Sequence, residues 1–261
     1  RLYRKRLKQV SFRNTERTMF WWLAVPVFIF LSHSYTQGPM RDVEYIHEVE
    51  APVAAQSVLN GGFPWRDCMT TAGIFHGLIR GLVGLGLFEN STWGVEAAHH
   101  LIFEPAYWVL TYFFFLLLFG GGAFLLLMFF VLPFSVPILF GHSFVRLCLY
   151  PVALALALTA FRTRKPWACA AAALMQLVLA IVTPEASFLL PVFFLMVLAS
   201  ELKILGIGKW KSFRLPAIVA ATTAVGLLVF FSILYFNGAL NSLFDYYIGY
   251  TRDARFIRGF P

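Results

Sequence analysis

Charge is what this chain has least of. Charged residues make up 13% of it and only thirteen are acidic, where a soluble domain is nearer a quarter charged. Cysteine is scarce as well. Cys68, Cys148 and Cys169 stand apart, with no CxxC or zinc-type spacing, and read as three inert thiols rather than a disulfide or thiolate-metal framework. Short alternating segments of the kind that build an outer-membrane barrel are absent, because the apolar runs are continuous. The net charge of +8 does not point to nucleic acid, since the basic residues sit beside the apolar runs as topology signals do.

What is present is grease. The chain is 59% hydrophobic and 18% aromatic, with a mean hydropathy of +0.73. Seven runs read as spans: Met19–His33, Glu96–Phe119, Phe124–Phe140, Phe144–Phe161, Ala168–Val182, Ser187–Leu202 and Pro216–Phe236. Several approach the length needed for a hydrocarbon core of about 30 Å. The expected class is an all-α polytopic membrane protein with about seven spans. Its first run follows seven Lys/Arg and lacks a small-x-small cleavage site, so it reads as a retained signal-anchor with Trp21 and Trp22 at an interface.

Counting Lys and Arg orients these spans. With the N-terminus inside, residues 1–18, 120–122, 162–167 and 203–215 are cytoplasmic and hold fourteen of the twenty-one basic residues. Segment 1–18 is then a basic cytoplasmic tail, 19–236 a transmembrane module with a long outer loop at 34–95, and 237–261 an outer juxtamembrane segment. The outer loop is expected to be partly helical. Val43–Glu50 and Val53–Leu59 are helix-compatible, with Pro52 between them, and Asn60-Gly61-Gly62 breaks the pattern before Gly73–Leu87 resumes it. Gly73, Gly77 and Gly81 form a small-xxx-small stripe suited to close packing against a neighbour. Leu240–Tyr250 is amphipathic and suited to the bilayer surface.

The ionisable residues concentrate in that loop. MRDVEYIHEVE, residues 40–50, carries four of the thirteen acids. Asp42 and Glu44, two apart at a helix start, can reach one site beyond the helix end, as a general base or as a pair holding a divalent cation, Mg or Mn. They are equally good capping residues for a helix N-terminus. His47 and Glu48 lie beside them. Glu44-Tyr45-Ile46-His47 and Glu96-Ala97-Ala98-His99 are two ExxH patterns of the kind that gather di-metal ligands. Arg66-Asp67 is either a local ion pair after a Gly/Pro turn or a fork for an anionic head group. His76 and Arg80, one turn apart, can address one phosphate, or Arg80 snorkels to the surface. Glu104 lies inside a span with Glu96 and His100 above it at helical spacing, either as a functional group or as a structural pair with His100. Asn90-Ser91-Thr92 matches a glycosylation sequon.

Taken end to end, residues 15 to 200 resemble the GT-C superfamily of polytopic glycosyltransferases, bacterial branch. The resemblance rests on Asp42, Glu44 and Tyr45 after the first span, on Ala54-Ala55 to Leu59, and on the turn Gly61-Gly62-Phe63-Pro64-Trp65-Arg66-Asp67. Thr183-Pro184-Glu185 resembles the tip of the family's short hairpin. The likeness implies a polyprenyl-phosphate sugar as donor, a glycan or lipid acceptor at the outer face of a bacterial inner membrane, and inverting transfer. Asp42 or Glu44 would then be the base or metal ligand. Arg66, Asp67, His76, Arg80 and Glu185 would bind substrate, with His47, Glu48, His100 and Glu104 in support. The chain departs from the pattern at Trp65, at Thr71-Ala72-Gly73-Ile74, and in having His99 or His100 where an arginine often opens the second span. It also opens on Arg1 and stops at Pro261, short of the family's further spans and C-terminal domain, as a fragment would. These departures leave an alternative: a non-catalytic subunit of a membrane complex that keeps such a scaffold.

Overall fold

The structure, a computed structural model, describes residues 19–37, 50–68, 74–120, 148–183, 186–202 and 213–245. All regular structure among the described residues is helical. A π-helical turn, Phe20–Ala24, enters α1 (Val25–Gln37); α2 is Glu50–Leu59. A second π-turn, Phe75–Ile79, leads into α3 (Arg80–Leu87). Helix α4 (Thr92–Ala98), a third π-turn (His99–Phe103) and α5 (Glu104–Phe119) run on as one continuous rod, Thr92–Phe119. Then come α6 (Tyr150–Thr163), α7 (Pro166–Val182), α8 (Leu189–Glu201), α9 (Arg214–Phe236) and the short α10 (Leu240–Phe244).

Proline placement explains much of this outline. Pro151 and Pro166 open α6 and α7, where a missing N–H costs nothing. Pro52 was expected to interrupt a helix; it sits instead in the first turn of α2, where it is equally harmless. Pro26 and Pro105 fall just after the first and third π-turns. A proline donates nothing to the carbonyl four residues back, which loosens the ladder and favours a locally widened turn.

Two helices, Thr92–Phe119 and α9, are long and apolar enough to cross a membrane; the other apolar helices, including α1, α6, α7 and α8, are shorter. Of the seven expected spans, Phe124–Phe140 lies outside the described residues and Phe144–Phe161 is described only from Cys148 onward. The remaining five coincide with helices whose ends are shifted by a few residues. The surface agrees with membrane association. Val225, Leu228, Val229, Ile233 and Phe236 of α9 and Val192, Leu195 and Met196 of α8 are exposed, an apolar exterior that water would not favour.

The interior has two parts. Helices α6, α7, α8 and α9 pack around Ala160, Ala168, Cys169, Ala172, Ala173, Phe193, Val197 and Val219. The alanine face of α7 lets three neighbours approach closely, as small residues do between membrane helices. Buried Gln176 donates from Nε2 to the Ala153 carbonyl of α6 at 3.2 Å, adding a polar tie. The second part is the seam of α1 and α5, built from Trp21, Val25, Ile29, Trp108, Tyr112 and Leu116, with the Tyr112 hydroxyl donating to the Trp21 carbonyl at 2.9 Å. The two parts meet where α6 lies on α5 and the Arg162 guanidinium donates to the Leu117 and Leu118 carbonyls at the end of α5.

Helix α3 is clamped between α2 and α4, and its glycines are why. A Cβ on Gly81 would collide with the Ala51 carbonyl, and one on Gly84 would lie 2.5 Å from the Val95 Cα. Of the expected glycine stripe, Gly81 makes such a close approach, and the neighbour it serves is α2; Gly73 lies outside the described residues.

Candidate functional site

The clamp buries charge. Arg80, at the start of α3, is fully enclosed, and its Nη1 lies 3.5 Å from Glu96 Oε1 on α4. The snorkelling alternative for Arg80 therefore does not apply. From Glu96 the contacts continue along the Thr92–Phe119 rod. Glu96 Oε2 is 3.7 Å from His100 Nε2, and His100 Nδ1 is 3.3 Å from Glu104 Oε2. The Glu96-x-x-x-His100-x-x-x-Glu104 spacing places all three on one face. All four side chains are buried. Glu104 is thus paired with His100, in the interior of a helix long enough to span a membrane.

His99 joins this group through the π-turn. The Glu104 N–H donates to the His99 carbonyl, an i to i−5 bond in place of the usual i to i−4. Pro105 supplies no donor for the Leu101 carbonyl. The Ser34 hydroxyl of α1 fills the gap, 3.3 Å from Leu101 O while also 3.0 Å from Phe30 O. Widening the helix here swings His99 towards the face that carries His100 and Glu104. One donor atom from each of His99, His100 and Glu104 then lies within 4.8 Å of the others, all three side chains buried. The two imidazoles meet edge to face, with centroids 4.6 Å apart.

A second polar feature is the turn Gly61–Cys68. Asp67 accepts the Phe63 N–H at 2.6 Å through Oδ2 and takes a forked contact from Arg66, Nε at 2.9 Å and Nη2 at 2.7 Å from the same oxygen. Those hydrogen bonds from Arg66 hold the Asp67 carboxyl below its ordinary range. Arg66 also donates from Nη1 to the Asn237 carbonyl at 3.0 Å, pinning the turn to the C-terminal end of α9. Trp65, held at a left-handed φ of 64°, packs edge-on against Phe230 of α9, and Phe63 and Trp65 line a small core with Leu234, Ala239 and Leu243. Arg66 and Asp67 form the expected ion pair, and both remain partly open to solvent, at 43% and 36%.

Several expected site residues lie outside the described residues: Asp42, Glu44, His47, Glu48, Glu185 and the side chain of His76. The ExxH pair Glu44/His47 falls there too, so only Glu96 and His99 of that reading are placed. Arg66 and Asp67 share one site, and Arg80, His100 and Glu104 share another. Sequence reasoning did not foresee that Glu96 bridges Arg80 to His100. The i,i+4 ladder on one helix was legible; a partner sixteen residues away across a helix-helix contact carries no sequence signal. The sequon residues serve as structure, with Ser91 capping α4 by accepting the Gly94 N–H at 3.4 Å and Asn90 accepting from Gln56 Nε2 at 3.0 Å.

Compared with known proteins, the chain matches no family model, no curated protein and no solved structure.

Proposed function

We propose that the chain is a GT-C-type membrane glycosyltransferase that moves a sugar from a polyprenyl-phosphate donor to a glycan or lipid acceptor at the outer face of a bacterial inner membrane. In this reading it has seven spans, a cytoplasmic N-terminus and the acidic loop outside. One observation carries most weight. The Gly61–Cys68 turn, which supplies much of the family resemblance, is a built element, cross-tied by Asp67 and anchored on α9 by Arg66 and Trp65.

The chemistry follows from the residue types. Asp42 or Glu44 takes the proton from an acceptor hydroxyl, or the pair holds Mg or Mn against the donor phosphate. The hydroxyl oxygen attacks the anomeric carbon from the face opposite the phosphate, the carbon–oxygen bond to phosphate breaks, and the configuration inverts. The departing lipid phosphate needs a cation, and Arg66, partly open to solvent, would serve as one. Arg80, enclosed against Glu96, would set the position of α3, with His76 on the same segment. The lipid tail would lie along the exposed apolar helices.

The test is sugar transfer from a labelled polyprenyl carrier by Asp42→Asn and Glu44→Gln proteins whose fold is checked independently. Loss of transfer in at least one supports the mechanism; unchanged transfer in both overturns it. One observation favours the alternative of a non-catalytic subunit of a membrane complex. Arg66, Asp67, Arg80 and Glu96 all have partners inside the chain, as scaffold residues would.

A further inference from the structure

The buried group on the Thr92–Phe119 rod has a composition that the glycosyl-transfer reading does not use. Two imidazoles and a carboxylate, His99, His100 and Glu104, bring one donor atom each to within 4.8 Å of the others, all enclosed. Donors sharing one first-row ion, at about 2.0–2.2 Å from it, lie roughly 3.0–3.5 Å apart, so binding would draw these side chains together by an ångström or so. His100 Nδ1 and Glu104 Oε2 are already at 3.3 Å.

Three features beyond proximity point the same way. The π-turn is the first. On a regular α-helix, residues five apart point in different directions, and the widened turn is what brings His99 towards the side of Glu104. The second is the far nitrogen of His100. Glu96 Oε2 stands 3.7 Å from Nε2, on the opposite side of the ring from Glu104. With an ion on Nδ1, the Nε2 proton would face this carboxylate, the arrangement typical of metal-bound histidine. Arg80 in turn holds Glu96. The third is charge. Glu96 and Glu104 are both buried beside His100, and carboxylates in an interior gain from positive charge close by. A divalent ion bound by neutral imidazoles and Glu104 supplies positive charge at this point.

We infer that His99, His100 and Glu104 form a binding site for a divalent first-row transition-metal ion, with Glu96 orienting His100. Two imidazoles and one carboxylate select ions of the Zn2+, Co2+, Fe2+ and Mn2+ class over Ca2+ and leave coordination positions open. The site uses neither Asp42 nor Glu44, a pair whose donors are all oxygen, and stands whether or not the chain transfers sugar.

The experiment uses the full chain, expressed without a histidine tag, solubilised in detergent and stripped with a chelator. Co2+ alone is titrated in, and the visible bands and the bound stoichiometry are read. X-ray absorption on the cobalt-loaded unsubstituted chain then reports the ligands. The site predicts one Co2+ per chain, with two imidazoles among its ligands. It also predicts unchanged bands in Asp42→Asn/Glu44→Gln protein, loss of the bands in His99→Gln and Glu104→Gln, and affinity weakened about 10–100-fold by Glu96→Gln. No binding, an ion with no imidazole ligand, or bands that survive His99→Gln and vanish in Asp42→Asn/Glu44→Gln overturns the proposal. Should the span variants not fold, the absorption spectrum of the unsubstituted chain decides it.

Discussion

The two membrane-length helices make an instructive pair. Helix α9 and the Thr92–Phe119 rod both qualify on length and hydropathy, yet only 11% of the most apolar stretch of α9 is buried, against 33% for the rod. Helix α9 carries its only charge at its first residue, Arg214, and turns Val225, Leu228 and Val229 outward. The rod turns Glu96, His99, His100 and Glu104 inward. An apolar sequence of sufficient length makes a span. What makes a candidate site is a helix that hides polar groups among neighbours close enough to pair with them.

That contrast can be attacked from several sides. After the buried ion pair, the largest effect is expected on the outer face of α9, where Val225→Arg should cost about 2.5–3.5 kcal/mol in a membrane-insertion assay, as for a charge at the centre of a span. An insertion yield equal to the parent's would mean that this face meets water. Glycines separate the regions next. A Cβ on Gly81 meets the Ala51 backbone, which cannot turn aside, whereas one on Gly226 of α9 meets the movable end of the Leu177 side chain. Gly81→Ala should therefore destabilise by about 1–3 kcal/mol and Gly226→Ala by clearly less, compared as thermal midpoints in detergent. Equal shifts would deny the clamp on α3.

The smallest effect concerns pH. The Asp67 carboxyl is held below its ordinary value chiefly by hydrogen bonds from Arg66. A depressed carboxylate contributes stability above its unfolded pKa and loses it as pH falls through the folded value. Trp65 fluorescence, which reports docking against Phe230, should thus stay constant on acidification past the usual carboxylate range and change only below it. Asp67→Asn should abolish that transition.

How much of this was legible in the sequence differs by region. The helical class, five of the helices and the glycine-driven packing of α3 follow from hydropathy and small-residue spacing, because both are periodic along the chain. Nothing in the span reading of Glu96–Phe119 said that the ladder before Pro105 would widen into a π-turn and bring His99 to Glu104. Nor did Arg80 announce Glu96, since the pairing depends on how α3 is seated by Gly81 and Gly84. Pro52 looked like an interruption because an alternative helix start lay before it; the start of α2 at Glu50 places it safely in the first turn.

The buried ion pair is where the comparison rests, and a double-mutant cycle on Arg80→Met and Glu96→Leu tests it most directly. Removing one partner of a buried pair leaves the other charge enclosed and costs about 3–5 kcal/mol, whereas replacing both with apolar side chains of similar size is often nearly neutral. Each single variant should therefore lower the thermal midpoint sharply and the double variant should recover most of the loss. Small and strictly additive shifts would contradict a coupled pair between α3 and α4, and with it the inward-facing polar cluster that sets the Thr92–Phe119 rod apart from α9.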